Sequence, residues 1–160
     1  MSLSFQNFNP LSRIWVFQAD RFLSDTELSF IQEQLAGFLA VWASHGSPMK
    51  SAFYIKDACL VVVALDENIQ AASGCSISAL TDLFKEFDSK FNLSFFNRFS
   101  IAHKTGSKVT LSSVNDFKDL IKMGKVNAET LVYNNLVTVK KELDTHWEIP
   151  LKNSWQKRYL

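Results

Sequence analysis

The stretch that decides the fold of this chain is Ser51-Ala-Phe-Tyr-Ile-Lys-Asp-Ala-Cys-Leu-Val-Val-Val-Ala-Leu65. It contains two apolar segments, 51–55 and 59–65, with Lys56-Asp57-Ala58 between them. The continuous apolar pattern of the second segment is typical of a strand that is buried on both faces. Because the connection is so short, the two segments are expected to pair as an antiparallel hairpin.

Helix and strand signals surround this hairpin. Ser24-Asp-Thr-Glu27 matches a capping box that opens a helix, and Gly46 is placed to end that helix. Thr105-Gly106-Ser107 predicts the turn of a second hairpin. Strands are expected at 13–19, 95–103, 109–111 and 130–133, and further helices at about 78–91, 113–124 and 135–146. Two hairpins argue against a doubly wound parallel sheet, so we expect an α+β fold, mainly antiparallel sheet with about four helices packed on it.

The composition favours one globular domain. The chain has 160 residues, of which 47% are hydrophobic and 21% are charged, values that fit a folded domain with a sizeable core. We expect a flexible N-terminal arm over 1–12 and a single domain over 13–160. The formal net charge of +1 gives no electrostatic footprint for nucleic acid or for an anionic membrane. The N-terminus lacks the pattern of a signal peptide, so the cytoplasm is the expected compartment.

The most concentrated candidate chemistry lies in the loop from Asp66 to Ile77, which contains Ala71-Ala-Ser-Gly-Cys-Ser-Ile77. Here a loop is expected to enter a helix, where unpaired backbone N–H groups attract anions. Backbone amides of Gly74 to Ser76, with the hydroxyls of Ser73 and Ser76, are therefore candidates to bind a carboxylate or a phosphate. Asp66 and Glu67 stand at the end of a buried strand, as a carboxylate pair or as a solvated strand end. The first hypothesis is a binding module that recognises a small anionic ligand or a partner protein at this loop.

Two further hypotheses use other features. Cys75 is a candidate nucleophile whose thiol a helix N-terminus would activate, with His45 or His103 as the base; the alternative is that Cys75 is a small structural side chain. The chain also has 14 phenylalanines and four tryptophans, which form either a core or the interface of a homo-oligomer. Neither the histidines nor the two cysteines have metal-ligand spacing, and no cofactor is predicted.

Several blocks of the sequence resemble a family of small uncharacterised bacterial proteins that are often labelled ABC-transporter ATPases. The blocks are Trp15-Val-Phe-Gln-Ala-Asp20, Trp42-Ala-Ser-His-Gly46, Ala72-Ser-Gly-Cys-Ser-Ile77, Val132-Tyr-Asn-Asn-Leu-Val137, Trp147-Glu-Ile-Pro150 and Ser154-Trp155. The resemblance covers most of the chain and implies no settled function. The label itself requires a P-loop, Gly-x-x-x-x-Gly-Lys-Ser/Thr, whose amides cradle phosphates. The nearest segment, His103-Lys-Thr-Gly-Ser-Lys108, has one glycine and the wrong spacing, so the sequence does not predict an ATPase.

Overall fold

The computed structural model describes residues 3–160, and helices and strands within that range follow one another along the chain. In order they are α1 (Leu3–Gln6), β1 (Arg13–Gln18), α2 (Asp25–Val41), β2 (Ala43–Ser44), β3 (Ser47–Pro48), β4 (Lys50–Lys56), β5 (Leu60–Asp66), α3 (Gly74–Phe91), β6 (Ser100–Thr105), β7 (Lys108–Ser113), α4 (Val114–Lys122), β8 (Leu131–Tyr133), α5 (Lys140–His146) and β9 (Glu148–Pro150). Two 3-10 helices, Leu151–Asn153 and Trp155–Tyr159, follow β9.

The predicted hairpin is β4–β5, and it forms most of the first sheet. The strand order is β1-β5-β4, and both pairings are antiparallel. Val63 in the middle of β5 stands opposite Trp15 on one side and Phe53 on the other. Every residue of β5 is buried, as the continuous apolar pattern predicts. The hairpin and the double burial of its second strand are confirmed.

The second sheet contains the other predicted hairpin. Its order is β7-β6-β8-β9, again antiparallel throughout. Thr105 pairs with Lys108 across a two-residue turn in which Gly106 has a φ of +62°. With antiparallel sheets and helices in the part of the chain that the structure describes, the expected α+β fold is confirmed. Among residues 3–160, no helix has the length and apolarity needed to cross a membrane.

Both long helices begin with a reciprocal capping box. In α2, the Glu27 amide donates to the Ser24 hydroxyl while the Glu27 carboxylate accepts from the Ser24 amide. A hydrogen bond from Arg21, followed by the Ser24 amide, lowers the pKa of Glu27 to about 2. In α3, Phe84 is fully buried and stacks on Phe17 of β1 with ring centroids 3.7 Å apart. Aromatic contacts of this kind anchor α3 to the first sheet.

The segment over 1–12, for which we expected a flexible arm, packs on the domain from Phe5 onward, and residues 1 and 2 lie outside the described residues. Phe5 and Phe8 are buried, and the Phe5 ring meets Tyr54 edge-on at 4.9 Å. The Lys141 amide donates to the Pro10 carbonyl, which ties the segment to α5. Burial of two aromatic rings outweighs the polar and proline character that predicted an arm.

Several predicted boundaries also differ from the observed ones. The strand expected at 95–103 begins only at Ser100, since the carboxylate of Asp88 accepts from the Phe95 amide and that of Asp20 from the Ser94 amide. The helix expected from 135 begins at Lys140, and the preceding residues form a loop. The first long helix ends at Val41, and Gly46 belongs to a separate turn.

Candidate functional site

A cavity of about 570 Å³ lies between β1 of the first sheet and β6 and β8 of the second. We call it the intersheet cavity. The strands contribute Val16, Gln18, Ser100, Ala102 and Tyr133. The loops before β6 and after β8, together with the C-terminal 3-10 helix, contribute the remaining wall. Volumes of this size are typical of small-molecule sites.

Strand geometry explains why these side chains meet. Alternate residues of a strand face the same side, so Val16 and Gln18 point together from β1, as do Ser100 and Ala102 from β6. The register of β6 with β8 is limited to His103 opposite Val132. The first residues of β6 therefore have β7 on one side and the cavity on the other. β8 ends at Tyr133, and the loop after it contributes Asn135 and Leu136 to the wall of the cavity.

Side-chain amides form a continuous hydrogen-bond chain beside the cavity. The Trp147 indole N–H donates to Asn135 Oδ1 at 2.9 Å, and Asn135 Nδ2 donates to Gln18 Oε1 at 2.8 Å. Gln18 Nε2 in turn donates to the Ser100 carbonyl at 2.8 Å. Gln18 is only 7% exposed, so these bonds form away from competing water. They fix the two amides in orientation and join the first sheet to the second.

Gln156 is different, because one of its polar atoms has no partner. Its Nε2 donates to the Tyr133 carbonyl at 3.0 Å, but within residues 3–160 nothing donates to its Oε1, although the residue is 3% exposed. Buried acceptors are almost always satisfied in native proteins, since an unmade hydrogen bond costs about 1–3 kcal/mol. An unpaired acceptor in the wall of a cavity is therefore a candidate contact for a ligand.

Aromatic rings and one cation complete the wall. Phe95, Phe96, Tyr133 and Trp155 line the cavity. The Tyr133 hydroxyl donates to Glu148 Oε2 at 3.3 Å, and burial, followed by the charge of Glu148, raises the Tyr133 pKa. Tyr133 therefore stays un-ionised and contributes an apolar ring. The mouth has an exposed apolar rim, with Phe96 43% and Leu136 66% exposed.

Arg98 is the one charged residue among those that line the intersheet cavity, all of which lie in the described range. Its side chain is exposed and forms neither a hydrogen bond nor an ion pair with any residue of 3–160. No Asp, Glu, His or Cys contributes to the wall. The arrangement can bind and orient a molecule, but it offers no nucleophile paired with a base.

The structure places the sequence-predicted loop at the start of α3. Ser73 is the N-cap, and its hydroxyl accepts from the Ser76 amide at 3.2 Å while Ser76 Oγ accepts from the Ser73 amide at 2.8 Å. Ser76 Oγ also donates to the Ser73 carbonyl, and the Ser76 carbonyl accepts from the Trp42 indole. Both hydroxyls therefore serve the capping box. Gly74 and Cys75 are exposed.

Cys75 and His45 line the same cavity of about 480 Å³, next to Trp42 and the first turn of α3. His45 lies beyond the end of α2, which stops at Val41 and not at Gly46 as expected. His45 and Gly46 have φ of 52° and 79° and form the turn between β2 and β3, a geometry that suits a two-residue hairpin. His103 lies elsewhere, fully buried, with its Nε2 at 2.9 Å from Ser112 Oγ. The structure thus brings one of the two proposed bases to the rim that holds Cys75.

The two carboxylates at the end of β5 point to separate cations. Asp66 is 3.6 Å from Lys50, and Glu67 is 3.4 Å from Arg13. Neither carboxylate lines the cavity beside Cys75. Across residues 3–160, no three His, Cys, Asp or Glu side chains are grouped as ligands for a metal ion.

Comparison with models of protein families, with curated proteins and with solved structures found no match to this chain. The resemblance to the bacterial family labelled as ATPases stays a prediction. Functional inference therefore rests on the residues of the cavities themselves.

Sequence patterns did not single out the amides of the intersheet cavity. Asn135 stands at the start of a predicted helix, and Gln18 lies within a predicted strand. A signal was present in each case, since Gln18 interrupts an apolar strand and Gln156 lies between the aromatic residues Trp155 and Tyr159. Polar residues in such positions require buried hydrogen-bond partners, and those partners come from distant parts of the chain.

Proposed function

We propose that this protein is a non-enzymatic binding module for a small organic ligand, and that the intersheet cavity is its binding site. The single observation that carries the proposal is the combination of aromatic walls with a buried, unpaired acceptor, Gln156 Oε1. Small-molecule sites are commonly mostly apolar, with a few fixed polar groups that determine orientation. The bonded amides of Gln18 and Asn135 preorganise one side of the wall.

Binding rather than catalysis is favoured by the kinds of side chain in the wall. Its titratable residues are Arg98 and Tyr133. Arginine keeps its proton in proteins, and the raised pKa of Tyr133 keeps that hydroxyl protonated at neutral pH. Neither group is poised to transfer a proton near neutral pH. The two cysteines are free, in agreement with the cytoplasm as the proposed compartment.

A dye-binding experiment with matched variants tests this proposal. Nile red is uncharged and fluoresces when it leaves water, so we expect a saturable increase with the wild-type protein. Leu136→Trp places a bulky ring at the mouth of the cavity and is expected to weaken dye binding at least fivefold. Leu11→Trp is the control, because Leu11 is 72% exposed and lies outside the cavity wall. Equal dye binding by Leu136→Trp and Leu11→Trp, or no saturable binding by wild type, would contradict the proposal.

The second candidate function is a thiol-dependent enzyme at the start of α3. The observation that favours it is the presence of exposed Cys75 and of His45 on one cavity. This candidate predicts that the alkylation rate of Cys75 near neutral pH falls when His45 is replaced by glutamine. An unchanged rate would remove His45 from the proposal.

A further inference from the structure

The charge on the wall of the intersheet cavity determines which ligand charge it favours. Arg98 is the one charged group of the wall, and in the described chain no carboxylate lies within ion-pair distance of it. A guanidinium presents a planar set of donors that matches a carboxylate. A cationic ligand would meet repulsion at this point. One cation is also too few to balance a polyphosphate, so a single negative charge fits best.

The aromatic residues of the wall favour a particular shape and polarity of the ligand. Phe96 and Leu136 form an apolar rim at the mouth, while Phe95, Tyr133 and Trp155 supply apolar surface to the wall. Aromatic walls favour flat, apolar bodies, because rings stack face to face or edge to face on them. The exposed position of Arg98 places the charge of the ligand toward solvent and its ring toward the interior.

The buried amides of the wall favour a ligand that carries a hydrogen-bond donor. Gln18 and Asn135 have both ends of their amides engaged in the chain from Trp147 to Ser100. Gln156 has its donor engaged and its acceptor free, so among these three amides only its Oε1 lacks a partner in the part of the chain that the structure describes. An unpaired acceptor favours a ligand with an N–H or O–H donor over one that has none.

We infer that the ligand of the intersheet cavity is an aryl carboxylic acid: a flat ring that carries one hydrogen-bond donor and one carboxylate, with the carboxylate at Arg98 and the donor at Gln156. This inference rests on the proposed binding function and names its ligand class. It gives a partner to two groups of the wall, since Arg98 gains an anion and Gln156 Oε1 gains a donor.

Four related compounds test separately whether the ligand needs the carboxylate and the hydrogen-bond donor. Indoleacetate has the ring, the N–H donor and the carboxylate, whereas indoleacetamide replaces the anion by a neutral group and tryptamine replaces it by a cation. N-methylindoleacetate retains the anion and lacks the donor. In calorimetric titrations of the full chain, we expect indoleacetate to bind about tenfold more tightly than the amide and more tightly still than tryptamine. N-methylation should weaken binding about fivefold.

Two matched arginine variants test whether Arg98 is responsible for the preference for an anionic ligand. In the wild type, the preference for indoleacetate over indoleacetamide is expected to decrease with added salt. In Arg98→Gln we expect neither the preference nor its salt dependence, because the charge at the mouth is lost. Arg158→Gln is the control, since Arg158 is also exposed and lies outside the cavity wall. Loss of the preference in Arg98→Gln and its retention in Arg158→Gln would support the inference.

Three outcomes would overturn it: the amide or the amine binds wild type as tightly as the acid does, Arg98→Gln keeps the preference, or none of the four compounds binds. Equal binding of N-methylindoleacetate would overturn the assignment of a donor to Gln156. The Nile red experiment distinguishes these failures from failure of the binding function. A cavity that takes up the dye but shows no preference for the acid retains the proposed function and loses the proposed ligand class.

Discussion

The hydrogen-bond chain beside the intersheet cavity makes Gln18→Met the most informative stability variant. Methionine has a similar length and is tolerated in a buried position, but it removes both hydrogen bonds of the Gln18 amide, to Ser100 and from Asn135, at 2.8 Å each. Each bond contributes about 1 kcal/mol, and an Asn135 N–H left without an acceptor adds a desolvation cost. The free energy of unfolding is therefore expected to fall by about 2–3 kcal/mol. For a chain of this length, the melting temperature should drop by about 5–10 °C.

Urea denaturation followed by tryptophan fluorescence measures this change, with unchanged slopes as the sign that the fold is kept. Gln32→Met is the matched control, because Gln32 is exposed on α2 and should change stability by less than about 0.5 kcal/mol. The double variant with Asn135→Ala should lose less than the sum of the single losses, because the two side chains share a bond. A Gln18→Met protein as stable as Gln32→Met, or strict additivity with Asn135→Ala, would refute the account of this network.

Two further predictions concern the groups that the sequence proposed as catalytic. Burial lowers the pKa of His103 below its ordinary value of 6.5. The unfolded chain therefore binds a proton at this residue at a pH where the folded chain does not, and the free energy of unfolding should decrease as the pH falls below about 6.5. Urea titrations at about pH 7.5 and about pH 5.5 should show a smaller decrease for His103→Gln than for wild type, and equal decreases would contradict this assignment. Iodoacetamide should label exposed Cys75 in the native protein and leave Cys59 unlabelled, because burial, followed by the charge of Asp57, raises the pKa of Cys59 to about 12. Peptide mass analysis identifies the labelled thiol, and equal labelling of both would show that Cys59 is accessible.

Much of the fold could be predicted because its signals are local. The continuous apolar run of β5 and the short link before it are sufficient to predict the hairpin. The Ser24 capping box predicts the start of α2 because hydroxyl and carboxylate lie within one turn of the backbone donors that they satisfy. The start of β6 was predicted wrongly because the carboxylates of Asp20 and Asp88 hold the loop before it. Local signals also did not predict the burial of Phe5 and Phe8.

The candidate site was predicted much less well than the fold. The sequence pointed to Ser73, Gly74, Cys75 and Ser76, and the structure gives the two hydroxyls a capping role while leaving Gly74 and Cys75 exposed. The placement of Cys75 and His45 on one cavity depends on the turn between β2 and β3. No spacing rule could place that turn beside α3, since the two segments lie about 30 positions apart along the chain.

The sequence by itself determined the longer helices and the two antiparallel hairpins, because hydrophobic periodicity, caps and turns act over a few residues. It did not predict the short strands β2, β3 and β9. Only the tertiary structure forms the cavity in which we propose that a ligand binds. The intersheet cavity draws its wall from β1, from the loop before β6, from the loop after β8 and from the C-terminal 3-10 helix. Whether a buried amide such as Gln156 keeps a free acceptor depends on partners that folding brings from distant parts of the chain.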